Sequence, residues 1–171
     1  MNVTFHVLAS FATAAVLNFP SQTDWRNVSN LWRYAIGFAA GIAVHGVLDF
    51  LPHHYPLRSK VDVALALILL AVFSILAARR NLSLLWICFI GSIFPDSVDL
   101  SAGIANKHLG IALPQLPFKV FPWHWKEYSG SIYDGSRAVE SGAYHLSVLL
   151  ICFALLYAYR NSFFKFRRIE P

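Results

Sequence analysis

The sequence predicts an all-α integral membrane protein of about five transmembrane helices, and three observations predict it. Apolar runs of spanning length recur along the 171 residues; charged residues make up only 13%; and the basic residues cluster beside alternate ends of the runs. Soluble domains carry about 25% charged residues, and here the deficit falls in blocks, which points to lipid and not merely to a large core. The mean hydropathy of +0.52 agrees. A net charge of +5 raises the question of nucleic acid, but no basic stripe or nucleic-acid motif accompanies it, so no nucleic-acid partner is expected.

Hydropathy places the spans at 3–19, 31–51, 61–78, 83–100 and 143–159 in a single helical domain covering 1–171. Each is 17 to 21 residues, roughly 26–31 Å as helix, which matches a hydrocarbon core of about 30 Å. The first run has no basic residue ahead of it and reads as a retained span. It ends at Pro20, and the second ends at Pro52. In the second span Gly37 and Gly41 form a small-xxx-small pair that lets a neighbouring helix come close. Arg79 and Arg80 close the third; Pro95 interrupts the fourth, where it removes a backbone donor and kinks or ends the helix. Cys88 and Cys152 sit inside apolar runs and read as small hydrophobes.

Orientation follows from the bases. With the carboxyl tail cytosolic, Arg26, Arg33, Arg79, Arg80, Arg160, Lys165, Arg167 and Arg168 share one side, opposed there only by Asp24 and Glu170. Cytosolic enrichment in Lys and Arg is the expected signature, so an inner or plasma membrane location is expected, with the amino terminus outside. The long connection 101–142 then lies outside. Its stretch PFKVFPWHWKEY (117–128) alternates aromatics with prolines and charges, and is expected to lie along the headgroup layer as a lid.

This topology gathers all seven histidines on the outer side. In HGVLDFLPHHYP, His45 and Asp49 are four apart and share a helix face; His53 would extend that face but for Pro52. In GSIFPDSVD, Asp96 and Asp99 are three apart, and Gly91 leaves room for close packing one turn earlier. His6 lies at the outer end of span one and His145 at the outer start of span five. Ionisable residues in a span are costly unless paired or solvated, so they face inward and mark function. Imidazoles and carboxylates converging from several helices suit a divalent metal, zinc being favoured over manganese or iron. The expected ligands are His45, Asp49, Asp96, His145 and His6, with Asp99 or His53 as general base or as the group that orients a ligand. Arg58, Lys60 and Lys126 are candidates for a substrate phosphate. His54, His108 and His124 read as interfacial residues, and Asp62 as a helix-start residue satisfying free amides.

These residues resemble motifs of the predicted membrane-bound metal-dependent hydrolases of the LexA-regulated inner-membrane type. His6 is similar to their early histidine, 91–99 to their Pro-Asp segment, 144–147 (YHLS) to their Thr-His-Ser segment, and 45–49 to their His-x-x-x-Asp. In this chain the last of these comes second, and Tyr144 stands in place of the threonine. A weaker resemblance is to the seven-span zinc hydrolases of the ceramidase and adiponectin-receptor superfamily. The resemblance implies a metal-dependent hydrolase acting on a lipid or lipid-linked substrate, phosphorylated ones included, at the outer face. The alternatives are a non-catalytic membrane module with a structural His/Asp cluster and, less favoured, a metal or proton transporter, for which the inner halves of the spans offer few polar stations.

Overall fold

A computed structural model describes residues 1–18 and 30–165; Asp24, Arg26, Arg167, Arg168 and Glu170, used above for orientation, lie outside them. The described residues form seven α-helices: α1 (Val3–Leu17), α2 (Asn30–Phe50), α3 (Ser59–Leu76), α4 (Arg79–Asp99), α5 (Ser101–Leu109), α6 (Ala138–Ala158) and α7 (Arg160–Phe163), with one 3-10 turn at Pro122–His124. Four of them, α2, α3, α4 and α6, are long and apolar enough to cross a membrane. The expectation of five is not met in full. α1 has 15 residues, about 22 Å of helix, which is short of a hydrocarbon core.

α1 is instead the axis of the bundle. It touches α2, α3, α4 and α6, and Phe5 through Ala12 are buried without interruption. A helix apolar on every face has to be covered on every face. Its hydroxyls turn back on their own helix, Ser10 Oγ to Val7 O and Thr13 Oγ1 to Ala9 O. The surrounding helices do the reverse. α3 and α6 expose Leu67, Ile75, Leu150 and Phe153, each more than half accessible. Apolar surface on this scale is compatible with a lipid surround and unfavourable in water.

α2 and α4 form the closest pair. A Cβ on Gly41 would lie 2.4 Å from Cys88 O, and one on Gly91 would lie 2.3 Å from Phe38 O. The backbones therefore touch where the small residues were expected to permit it. Gly37, Gly41, His45 and Asp49 follow one another at intervals of four, so the stripe that seats α2 on α4 ends in two ionisable residues. α4 continues through Pro95 to Asp99 instead of ending there.

The connection expected at 101–142 is partly helical: α5 opens it, and α6 begins at Ala138, five residues early. The segment after α2 is stitched to it. Gly130 N donates to Asp49 O at 2.8 Å, His53 N to Gly130 O at 2.8 Å, and Ile132 N to His53 O at 2.9 Å. Asp62 does satisfy helix-start amides, but those of α1: it accepts from Val3 N at 2.8 Å, Thr4 N at 2.9 Å and Thr4 Oγ1 at 2.7 Å.

If the α2–α4 contact sets the separation of these helices, Gly41→Ala lowers stability by about 1–3 kcal/mol through overpacking. Gly142→Ala, whose Cβ would meet nothing within 4 Å, leaves stability the same or raises it by up to about 1 kcal/mol. Thermal unfolding of the two variants in detergent compares them, and equal midpoints would contradict the contact.

Candidate metal site

The site forms where the last turns of α2 and α4 meet the first turn of α1. His45 is fully buried and Asp49 nearly so. His45 Nδ1 lies 2.6 Å from Ser92 O; a carbonyl can only accept, so Nδ1 carries the proton. Ser92 precedes Pro95 by three residues, in the turn whose hydrogen bonding the proline disrupts. This backbone carbonyl fixes the tautomer of a histidine on the neighbouring helix. From α1, the His6 ring stacks on His45 with centroids 4.2 Å apart, and its Nε2 lies 3.1 Å from Asp49 Oδ1.

The fourth participant comes from the connection between α5 and α6. Asp99, at the end of α4, accepts from Val120 N at 2.8 Å and Phe121 N at 3.0 Å. It also holds His124 Nδ1 at 2.8 Å. Lys119 Nζ donates to the backbone oxygen of Asp99. The Trp123 indole lies against Gly46, where a Cβ would be 2.7 Å from the ring. One carboxylate therefore clamps the strap 119–124 and orients His124 Nε2 inward. Asp99 was expected either as a base or as a ligand-orienting group, and the second role is the one its contacts describe. His124 was read as interfacial and is a correction: its side chain is 6% exposed. Helical spacing could not have found it. The one available signal was a histidine set between two tryptophans just after a proline, in a stretch expected to cover the site.

His45, Asp49, Asp96 and His124 each offer one ligand atom, and the four atoms lie within 4.8 Å of one another. His45 Nε2 is 3.2 Å from Asp49 Oδ2, 3.6 Å from Asp96 Oδ1 and 3.4 Å from His124 Nε2. His124 Nε2 is 3.6 Å from Asp49 Oδ2 and 3.2 Å from Asp96 Oδ1. A tetrahedron whose corners lie about 2.1 Å from a central zinc has edges of about 3.4 Å; five of the six edges here are within 0.2 Å of that length, and the sixth, Asp49 to Asp96, lies within the 4.8 Å span of the group. With both Nδ1 atoms committed as donors, both Nε2 atoms present lone pairs to two carboxylates. Four acceptors face a common centre, so the residues fit a cation, and a histidine whose second nitrogen is held by a carboxylate or carbonyl is the usual metal-ligand arrangement.

A proton competes for the same place. Burial would lower the His124 pKa, but hydrogen bonds with Asp49, Asp96 and Asp99 outweigh it and carry it up to about 10.

The other expected residues fall in different places. His145 lies outside the group. Its Nδ1 is 2.7 Å from Ser141 O on its own helix, and its ring packs on Phe5 at 4.7 Å. His53 adjoins the group through the Met1 amino nitrogen, which is 2.6 Å from His53 Nε2 and 2.5 Å from Asp49 Oδ1. Burial, and then the charge on that amine, lower the His53 pKa to about 4. Lys60 lines an apolar crevice that reaches Asp96. Arg58 and Lys126 are exposed and line neither that crevice nor the cleft beside the cluster. No protein-family model, curated protein or solved structure matches the chain.

Two outcomes are expected from zinc titration of the purified protein in detergent. Asp99→Asn weakens binding by about 10–100-fold, the usual cost of losing a group that orients a ligand, whereas Glu140→Gln, remote on the surface, does not. Apparent affinity rises with pH, because a proton held on His124 up to about pH 10 must leave as the metal enters. An affinity that is flat or falls between pH 6 and 9 would contradict the shared position.

Proposed function

We propose that this chain is a membrane-embedded metal-dependent hydrolase, acting on a lipid or lipid-linked substrate at the outer face of the membrane. The observation that carries the reading is the convergence of His45, Asp49, Asp96 and His124, with the Asp96 corner reachable from outside. The Asp96 side chain is 32% exposed, whereas the other three are 11% or less, and Asp96 lines two clefts. The motif resemblance of 45–49 and 91–99 to membrane-bound metal-dependent hydrolases points the same way. The outer placement rests on charge: Arg79 and Arg80 begin α4 while Asp96 and Asp99 end it, and the basic end is expected in the cytosol. In this reading α1 completes the membrane domain as a fifth, protein-covered segment.

His45, Asp49, Asp96 and His124 would hold the ion, zinc being favoured by the nitrogen and oxygen donors. Bound there, a divalent ion supplies Lewis-acid polarisation of a substrate oxygen and activation of water. Asp99 and Ser92 O keep both imidazoles in the tautomer that binds. His53, with Nδ1 held by Leu51 O at 2.7 Å and Nε2 2.6 Å from the Met1 amino nitrogen, would act beside the cluster by positioning that amine against Asp49.

A second reading, a non-catalytic membrane module with a structural metal, is favoured by one feature: all four corners are protein side chains, as in structural zinc sites. Turnover separates the two. In the hydrolase reading, His45→Ala loses both the metal, by elemental analysis, and hydrolysis of 4-nitrophenyl laurate or bis(4-nitrophenyl) phosphate, by at least about 100-fold. Metal in the wild type with no turnover of either ester leaves the structural module; unchanged metal in His45→Ala contradicts both.

A further inference from the structure

Two clefts meet at Asp96. One, of about 430 Å³, is walled by Asp49, Asp96, His124 and the hydroxyls of Tyr55, Ser129 and Ser131. The other, of about 820 Å³, runs between α3 and the α4–α5 corner along Val63, Ile93, Ile104, Ala105 and Leu109. Both volumes are those of small-molecule sites. They share Val3, Ser59, Val63, Asp96 and Ile104 as walls, so they form one trough with a polar compartment at the ligand cluster and an apolar compartment beside it. The polar compartment is built to hydrogen-bond. Tyr55 Oη lies 2.8 Å from Ser131 Oγ and 3.2 Å from His53 Nε2, and the Tyr55 ring stacks on Tyr133 with centroids 5.5 Å apart. Neither lysine nor arginine is among its walls, and three carboxylates (Asp49, Asp62 and Asp96) stand there against the one Met1 amino group. An anionic headgroup calls for the opposite, arginine or lysine donors. Lys60, the basic wall residue of the trough, belongs to the apolar compartment.

We infer that the trough binds a single-chain amphiphile with an uncharged, hydroxyl-bearing headgroup, the headgroup among Tyr55, Ser129 and Ser131, the chain along Val63 and Ile104, and the linkage between them at Asp96. This rests on the hydrolase reading for what happens at that linkage, but not for binding. It replaces the phosphorylated headgroup expected from Arg58, Lys60 and Lys126. A chain inserted between α3 and α5 can enter sideways from the bilayer, since Ile104 is 54% and Val63 49% exposed.

The test uses the full chain in lipid nanodiscs with a monoacylglycerol carrying a diazirine in its acyl chain, photolysed and mapped by mass spectrometry. The expected result is adducts concentrated on Val63, Ile93 and Ile104 and reduced at least about fivefold by Ala105→Trp, with Val63→Trp as a second obstruction from the opposite wall. Unlabelled monoacylglycerol should compete at least about tenfold better than lysophosphatidate. Adducts spread evenly over Leu67, Ile75 and Leu150 and indifferent to both tryptophans are bulk lipid contacts and overturn the trough. Equal or better competition by lysophosphatidate overturns the uncharged headgroup. Crevice adducts on a wild type that holds no metal uphold the trough and refute the hydrolase reading, so the two fail separately.

Discussion

Two carboxylates and two imidazoles share one buried centre, and each imidazole has already spent its other nitrogen. His45 Nδ1 donates to Ser92 O and His124 Nδ1 to Asp99, which leaves only acceptors facing inward. The Met1 amino group pairs with Asp49 and Asp96 is partly solvated, yet acceptors facing one another at 3.2–3.6 Å still call for a positive charge between them. A proton or a metal ion supplies it. The pKa of His124, raised to about 10, and the close spacing of the four ligand atoms are two responses to that one constraint.

The fold delivers this constraint by close backbone contact. Gly37, Gly41 and Gly91 bring α2 onto α4, and His45 and Asp49 follow in register on the same stripe. Pro95 lies inside α4 without ending it, and Ser92 O one turn earlier meets His45 Nδ1. α1, covered by four helices, brings His6 to stack on His45 and is anchored by Asp62 through its own first amides. The remaining corner is supplied by an irregular strap, which needs Asp99 as a clamp and Gly46 as a seat for Trp123.

This division explains what could be read from the sequence. The helices, the glycine contact and three of the four residues of the His/Asp cluster are legible because periodicity relates residues along one helix and hydropathy sets their depth. His124 is not, since its place depends on hydrogen bonds to a carboxylate 25 residues earlier, and no period encodes that. His145 sits at the right depth, yet its side chain turns to its own helix and to Phe5; depth constrains height in the bundle but not azimuth. The expected fifth span stands as a short, protein-covered helix for a related reason. Hydropathy registers that α1 is apolar, and cannot tell burial in protein from burial in lipid.

X-ray absorption at the zinc edge of the zinc-loaded protein reads the ligand set itself. The account predicts four nitrogen or oxygen neighbours at about 2.0–2.1 Å, with outer-shell scattering from two imidazoles that drops to one in His124→Ala and stays at two in His145→Ala. Loss of imidazole scattering in His145→Ala with none lost in His124→Ala, or zinc that does not stay bound at all, would contradict it.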